Sequence, residues 1–126
     1  MSPRHRRFRY TEYLDHMLSA LRLARGYVEK VTKDEFLADK KTQQAVILNI
    51  LVVGEAAIQI LDDYPELAAR HPDVPWKQMR GMRNRMAHGY FELNRDVVWD
   101  TVQHALPELE RQILTIQQEP PEAVTE

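Results

Sequence analysis

Apolar residues recur at three- and four-residue spacing along most of the chain and nowhere alternate with polar ones at a period of two. The pattern predicts helices and no strands. Leu14, Met17, Leu18, Leu21, Val28 and Val31 fall on one such face, which predicts a first helix from about Thr11 to about Val31. Thr32 and Glu35 stand at capping-box spacing and open a short helical turn. A second long helix is predicted from about Lys41 to about Asp62. It is apolar over most of its circumference and so belongs at the centre of the molecule. Its middle residues Gly54, Ala56 and Ala57 are small and admit a close helical neighbour, from this subunit or from a partner.

No proline interrupts the chain between Arg4 and Tyr64, which agrees with long helices there. Pro65 suits the first turn of a short helix that ends before Pro72. Pro75 suits the first turn of a helix through Trp76, Met79, Met82 and Met86, with Gly89 placed to end it. Asn94 reads as the N-cap of the last helix, with Asp96 complementing the dipole in its first turn. Val98, Val102, Ala105, Leu109, Ile113 and Ile116 keep helical spacing. Pro107 sits inside that pattern and should kink or split the helix. The predicted fold is an all-α antiparallel bundle of four main helices plus short helices. Residues 1–118 are read as one helical domain and residues 119–126, with Pro120 and Pro121, as a disordered tail.

Composition narrows the function classes. The chain has 126 residues, 44% of them hydrophobic and 29% charged, which fits a single globular domain. It has no cysteine, so a disulfide scaffold, a thiol nucleophile and a thiolate metal site are all excluded. His5, His16, His71 and His104 have no metal-ligand spacing, and neither a metal nor a cofactor is predicted. The apolar stretch Ala45 to Leu61 carries Asn49, Glu55 and Gln59 and reads as too short and too polar to span a membrane. No secretory leader is evident either, and the expected location is the cytoplasm. Net charge is −2, so the chain is no polycation, yet its cations are clustered. Arg4, Arg6, Arg7 and Arg9 form one group, and Lys77, Arg80, Arg83 and Arg85 form another. A mildly acidic protein with local basic clusters can bind phosphate at one place.

Chemistry concentrates between Arg80 and Tyr90. On a helix Arg80, Asn84 and His88, spaced four apart, make one stripe, with Arg83 on its flank. Tyr90 follows just past Gly89. A cation, an amide, an imidazole and a phenol around one helix end suit cleavage of an RNA phosphodiester without a metal. The neighbouring 2′-hydroxyl attacks phosphorus and the 5′-oxygen leaves. This needs a base, an acid and positive charge beside the phosphorane. Histidine titrates near neutral pH and serves either proton role. Arginine presents a planar fork that matches phosphate oxygens. One histidine cannot readily be both base and acid in one transition state, so the chemistry predicts a homodimer with a composite cleft. The plainer alternative is a solvated arginine-rich helix whose terminal histidine only complements the dipole.

The segment resembles the HEPN superfamily, and within it the HepT toxins that pair with MntA-type nucleotidyltransferase antitoxins. The superfamily motif, Arg-x(4–6)-His, is met by Arg83-Asn84 through His88, and Tyr90 completes the longer Arg-x4-His-x-Tyr form. The likeness extends to Phe36-Leu37-Ala38-Asp39, Val53-Gly54-Glu55-Ala56, Val74-Pro75-Trp76 and Asn94 to Leu109, while the arginine-rich N-terminus is less typical. The resemblance implies a dimeric helical bundle and a metal-independent endoribonuclease toxin. Arg83 and His88 would be its catalytic residues, with Asn84 supporting them. It also implies that Tyr90 is the tyrosine the nucleotidyltransferase adenylylates, which would set an anion beside the site.

Glu55 lies in a nearly apolar helix and needs a partner. It is expected to pair with Arg80 or Arg83 and fix the arginine for phosphate; another cation, or exposure at a groove, is the alternative. Arg80 and Arg85 are candidate RNA phosphate contacts. Trp76 and Trp99 read as core anchors rather than base-stacking platforms. Two other functions fit the same residues: a non-catalytic adaptor that binds a nucleotide or the nucleotidyltransferase, and a structural helical subunit. Against the latter stand four cations between Lys77 and Arg85, which repel one another unless an anion or carboxylates neutralise them.

Overall fold

The structure, a computed structural model, describes residues 8–120. Helix α1 spans Tyr10–Tyr27, α2 Lys33–Leu37, α3 Lys40–Asp63, α4 Pro65–Arg70 and α5 Trp76–His88. A 3-10 turn at Tyr90–Glu92 leads to α6 at Arg95–Asp100, a π-helical turn at Thr101–Ala105 and α7 at Leu106–Gln117. Among the described residues there is no strand. The four main helices are α1, α3, α5 and the run from α6 to α7, so the predicted all-α bundle is what the chain forms.

The centre is α3. Val46, Ile47, Ile50, Val53, Ala57 and Ile60 bury its apolar positions, with α1 on one side and α5 on another. Helix α3 is long and apolar enough to cross a membrane by length and composition, whereas the stretch Ala45 to Leu61 reads as too short and too polar. Here it is the core helix of the bundle. Helix α1 runs antiparallel to it: Tyr13 near the start of α1 donates to Asp63 at the end of α3 (3.3 Å), and the Tyr10 and Tyr64 rings meet edge-on at 5.7 Å. Burial and the Asp63 carboxylate both raise the Tyr13 phenol above its ordinary range. Helix α7 returns along α1, with Gln117 donating to Asp15 (2.9 Å) and Glu110 taking both Arg22 and Arg25.

Local signals account for most boundaries. Thr32 and Glu35 form the capping box in both directions. The Asp39 side chain caps α3 through the Thr42 N–H, and Asn94 caps α6 through the N–H groups of Asp96 and Val97. Three boundaries differ from expectation. Helix α1 ends at Tyr27, short of Val31: the Val28 and Glu29 amides bond back only three residues, to Arg25 and Gly26, and the chain leaves the helix to reach the Thr32 cap. Val28 stays buried all the same, because apolar spacing reports burial and not helicity. Pro75 is the N-cap of α5 and not its first helical residue. Before Pro107 the helix neither simply kinks nor breaks but widens into the π turn. Proline has no N–H to give and its ring clashes with the carbonyl four residues back, and the wider turn relieves both constraints. Of the predicted tail, Glu119 pairs with His71 (2.9 Å) and Arg70 (3.6 Å), while residues 121–126 lie outside the described residues, as do Arg4, His5, Arg6 and Arg7.

Trp76 is buried and donates to the His71 carbonyl (3.0 Å). Trp99 packs on Phe36 at 5.4 Å, which ties α2 to α6. Both tryptophans are core anchors.

The cap carboxylates predict a pH dependence. Bonds from Thr32 hold Glu35 below its ordinary range, and bonds from Thr42 do the same for Asp39. Carboxylates lowered in the folded state stabilise it above their unfolded pKa, and that stabilisation is lost as pH falls through the lowered values. A Glu35→Gln/Asp39→Asn double variant should therefore lose less thermal stability than wild type between roughly pH 5 and pH 2.

Gly54 predicts a steric one. A Cβ there would sit 2.5 Å from Arg83 Cβ and 3.1 Å from the Met79 carbonyl oxygen. Helix propensity favours alanine by about 1 kcal/mol, but both crowded atoms are rooted on α5 and overpacking costs about 1–3 kcal/mol. Gly54→Ala should lower the melting temperature. Gly26→Ala, which meets nothing within 4 Å, should raise it.

Candidate active site on helix α5

Helix α5 presents Arg80, Asn84 and His88 as one exposed stripe. Arg83 and Arg85 flank it on opposite sides, as their offsets around a helix require. Arg83 faces α3. Its Nε donates to Glu55 and its guanidinium donates to the Asn84 side-chain oxygen at 3.0 Å. The close helix contact at Gly54 brings this about: Glu55 is the next residue on α3, and Arg83 is the side chain that packs against the glycine. Of the alternatives open for Gly54 and Glu55, the chain realises a close neighbour within its own subunit and a partner in Arg83.

The pair is half-exposed, with side-chain exposures of 27% for Arg83 and 40% for Glu55. Such a pair adds about 0–1 kcal/mol to stability. What it supplies is orientation, since Glu55 on one side and Asn84 on the other fix the plane of the guanidinium. His88 is exposed, one helical turn beyond Asn84, and its side chain makes no hydrogen bond or ion pair with another described residue.

Arg85 does not join this group. Its guanidinium lies 3.6 Å from the Cβ position of Gly81, and the side chain lines an apolar cavity of about 340 Å³ between α5, α3 and the C-terminal helices. Of the four cations from Lys77 to Arg85, only Arg83 has a carboxylate partner among the described residues. Three positive charges are thus left for an external anion or for water. No group of three or more His, Asp or Glu side chains among the described residues is placed to hold a metal ion.

Past Gly89, Tyr90 is half-buried. The Arg95 guanidinium carbon stands 4.8 Å from its ring centroid, and the same guanidinium donates to the carbonyls of Tyr90 (3.2 Å) and Leu93 (2.6 Å). Arg95 therefore fastens the turn that carries Tyr90. Sequence reading missed it, because nothing in the spacing shows a residue just beyond a cap folding back over the preceding turn.

The sequence profile of the family described as "Ribonuclease HepT-like" matches residues 17–116, a span that contains the whole Arg80–Tyr90 segment. The "Probable ribonuclease HepT" of Thermococcus cleftensis is 36% identical over 100 residues, covering 79% of this chain and 88% of that protein. A presumptive RNase of Caldanaerobacter subterraneus is 31% identical over 106 residues, covering 84% and 92%. Another, from Methanocaldococcus jannaschii, is 41% identical over 81 residues, covering 64% of each chain. No solved structure matches the chain. With a profile match across most of its length and relatives above 30% identity aligned over 79% and 84% of it, this chain belongs to the HepT-like ribonuclease family.

Proposed function

We propose that the protein is a toxin endoribonuclease that cleaves RNA without a metal, in a composite cleft between two copies of the chain. The observation that carries this reading is Arg83 held in place by Glu55 and Asn84, on the flank of the exposed stripe that ends in His88, whose side chain has no partner among the described residues. The fixed guanidinium suits a non-bridging phosphate oxygen. His88 takes the proton of the attacking 2′-hydroxyl, and the second copy's histidine gives a proton to the departing 5′-oxygen. The products are a 2′,3′-cyclic phosphate and a 5′-hydroxyl. Arg80 contacts the phosphate backbone along the same stripe; Arg85, turned toward the cavity, serves it less directly. The names of the relatives agree with the reaction class.

Dimerisation is supported by what lies beside Glu55. Leu48 is 60% and Val52 36% exposed, and helical spacing sets them on the α3 stripe that carries Glu55. An apolar strip next to the ion pair is a surface a second copy can cover, and a two-fold axis there would bring two α5 helices together.

Tyr90 is the proposed regulatory site. A nucleotidyltransferase antitoxin would join the Tyr90 oxygen to the α-phosphorus of a nucleoside triphosphate and release pyrophosphate. The phosphodiester left behind places an anion among the cations that RNA needs. The rival reading, an adaptor that binds nucleotide or the nucleotidyltransferase without cutting, uses the same cations and differs at His88.

Cleavage of total cellular RNA by purified protein, with chelator present, tests the reading. Wild type should leave 2′,3′-cyclic phosphate ends, and Arg83→Ala and His88→Ala should each lose at least about 100-fold in rate. Glu55→Gln should lose activity with little change in melting temperature, since the pair orients more than it stabilises. No cutting by a folded wild-type dimer, or cutting abolished by chelator, would overturn it.

The interface has its own test. Leu48→Asp should convert the dimer to a folded monomer by light scattering and abolish cleavage together with it. An active monomer would remove the composite cleft.

A further inference from the structure

Phe91 is 98% exposed, while the other large hydrophobic side chains with substantial exposure lie between 36% and 60%. A scattered exposed apolar residue ordinarily needs no explanation. Phe91 differs in how it is held and in what surrounds it. It occupies the middle of the 3-10 turn Tyr90–Glu92, which Arg95 fastens through two carbonyls and the face of Tyr90. Its ring contact is with Tyr90, edge to face, at 6.0 Å and 83°. An almost fully solvated ring is thus carried on a turn that is not free to collapse and bury it.

The surroundings indicate the occupant. Phe91 follows His88 by three residues, so their Cα atoms are at most about 11 Å apart. Arg80, Asn84 and His88 form the exposed stripe of α5, which ends three residues before it, and Arg95 lies against the neighbouring ring. Glu92 and Asn94 beside it are exposed and polar. A protein docking site requires a contiguous apolar patch, and this place offers a single ring on a turn held by Arg95, three residues past the end of the α5 stripe. That pairing fits single-stranded nucleic acid, whose bases stack on aromatic rings while arginines follow the phosphates.

We propose that Phe91 is a nucleobase-stacking subsite, and that it holds an unpaired RNA base adjacent to the phosphate presented to Arg83 and His88. The inference rests on the ribonuclease reading and extends it to substrate form: the enzyme takes RNA whose bases are splayed from a duplex, such as a loop or an end. Stacking on a ring tolerates any base, so Phe91 selects single-strandedness and not sequence. The subsite also couples to the regulatory tyrosine, because Tyr90 is the residue that contacts the stacking ring.

The test is binding of a short, fluorescently labelled 2′-O-methyl RNA, which cannot be cut because its nucleophile is capped. Full-chain wild type, Phe91→Ala, Phe91→Leu and Phe91→Trp would be compared, with the oligomeric state of each measured by light scattering. Phe91→Ala should weaken binding roughly 5- to 150-fold, as loss of one stacked base does. Phe91→Trp should restore it and Phe91→Leu should not, with the oligomeric state constant throughout. A hairpin RNA should show the effect and a blunt duplex should not. Binding by Phe91→Ala equal to wild type, or by Phe91→Leu equal to Phe91→Trp, would overturn the subsite and leave the ribonuclease reading intact. A change of oligomeric state in Phe91→Ala would make the ring a subunit contact instead. Failure of wild type itself to bind the oligonucleotide would overturn the subsite and the ribonuclease reading together.

Discussion

The arrangement of the site depends on the contact between Gly54 on α3 and Arg83 on α5. A side chain at position 54 would push the helices apart. With the glycine, the Arg83 stem lies against the α3 backbone and its guanidinium meets Glu55, the next residue along. Asn84 takes the guanidinium from the other side. Three residues on two helices thereby fix one cation in position and plane. The pair stands too near the surface to stabilise the fold much, so the chain keeps a carboxylate in its most apolar helix for a different return, namely a pre-oriented arginine. Preorganised charge is worth most where negative charge develops in a reaction, since it needs no reorganisation at that moment.

Charge distribution follows the same logic. The whole chain is slightly acidic, and several of its carboxylates pair with cations: Glu110 with Arg22 and Arg25, Asp96 with Lys33, Glu119 with Arg70 and His71. On α5 the pairing stops at Arg83. Net charge therefore misleads about this protein, because the field that a phosphate would meet is local. One neutralised arginine among three unneutralised cations makes α5 locally positive on a chain of slightly negative net charge.

How much of this was legible in the sequence depended on whether the cause was local. The caps at Thr32 and Asn94 and the terminus at Gly89 depend on residues within a turn of one another, and reading them gave the element order. The α5 stripe of Arg80, Asn84 and His88 follows from a period of four, and the structure exposes it as expected. Glu55 was partly legible. An acid in an apolar helix needs a cation, but the choice between Arg80 and Arg83 depends on the rotation of α5 against α3, which Gly54 sets. The end of α1 is not legible, because Val28 and Val31 keep the apolar spacing after the helix has stopped at Tyr27. Arg95 and Phe91 were not legible at all. The solvation of an aromatic side chain, or the folding of an arginine over a ring five residues back, is decided by tertiary structure and leaves no trace in spacing.

The regulation proposed at Tyr90 follows from the way Arg95 is engaged. One arginine nitrogen already serves two carbonyls of the turn, and its plane covers the tyrosine ring. The turn is thus already held by Arg95, so attaching a nucleotide there would have no loop to order. What it would add is charge and bulk beside the locally positive α5. On the proposed reading, a phosphodiester tethered next to Arg95 and a few residues from His88 would compete with RNA at an effective concentration that free nucleotide would not reach. On this proposal inhibition would work by occupancy, with the bundle, the Glu55–Arg83 pair and the Phe91 ring all left as they are.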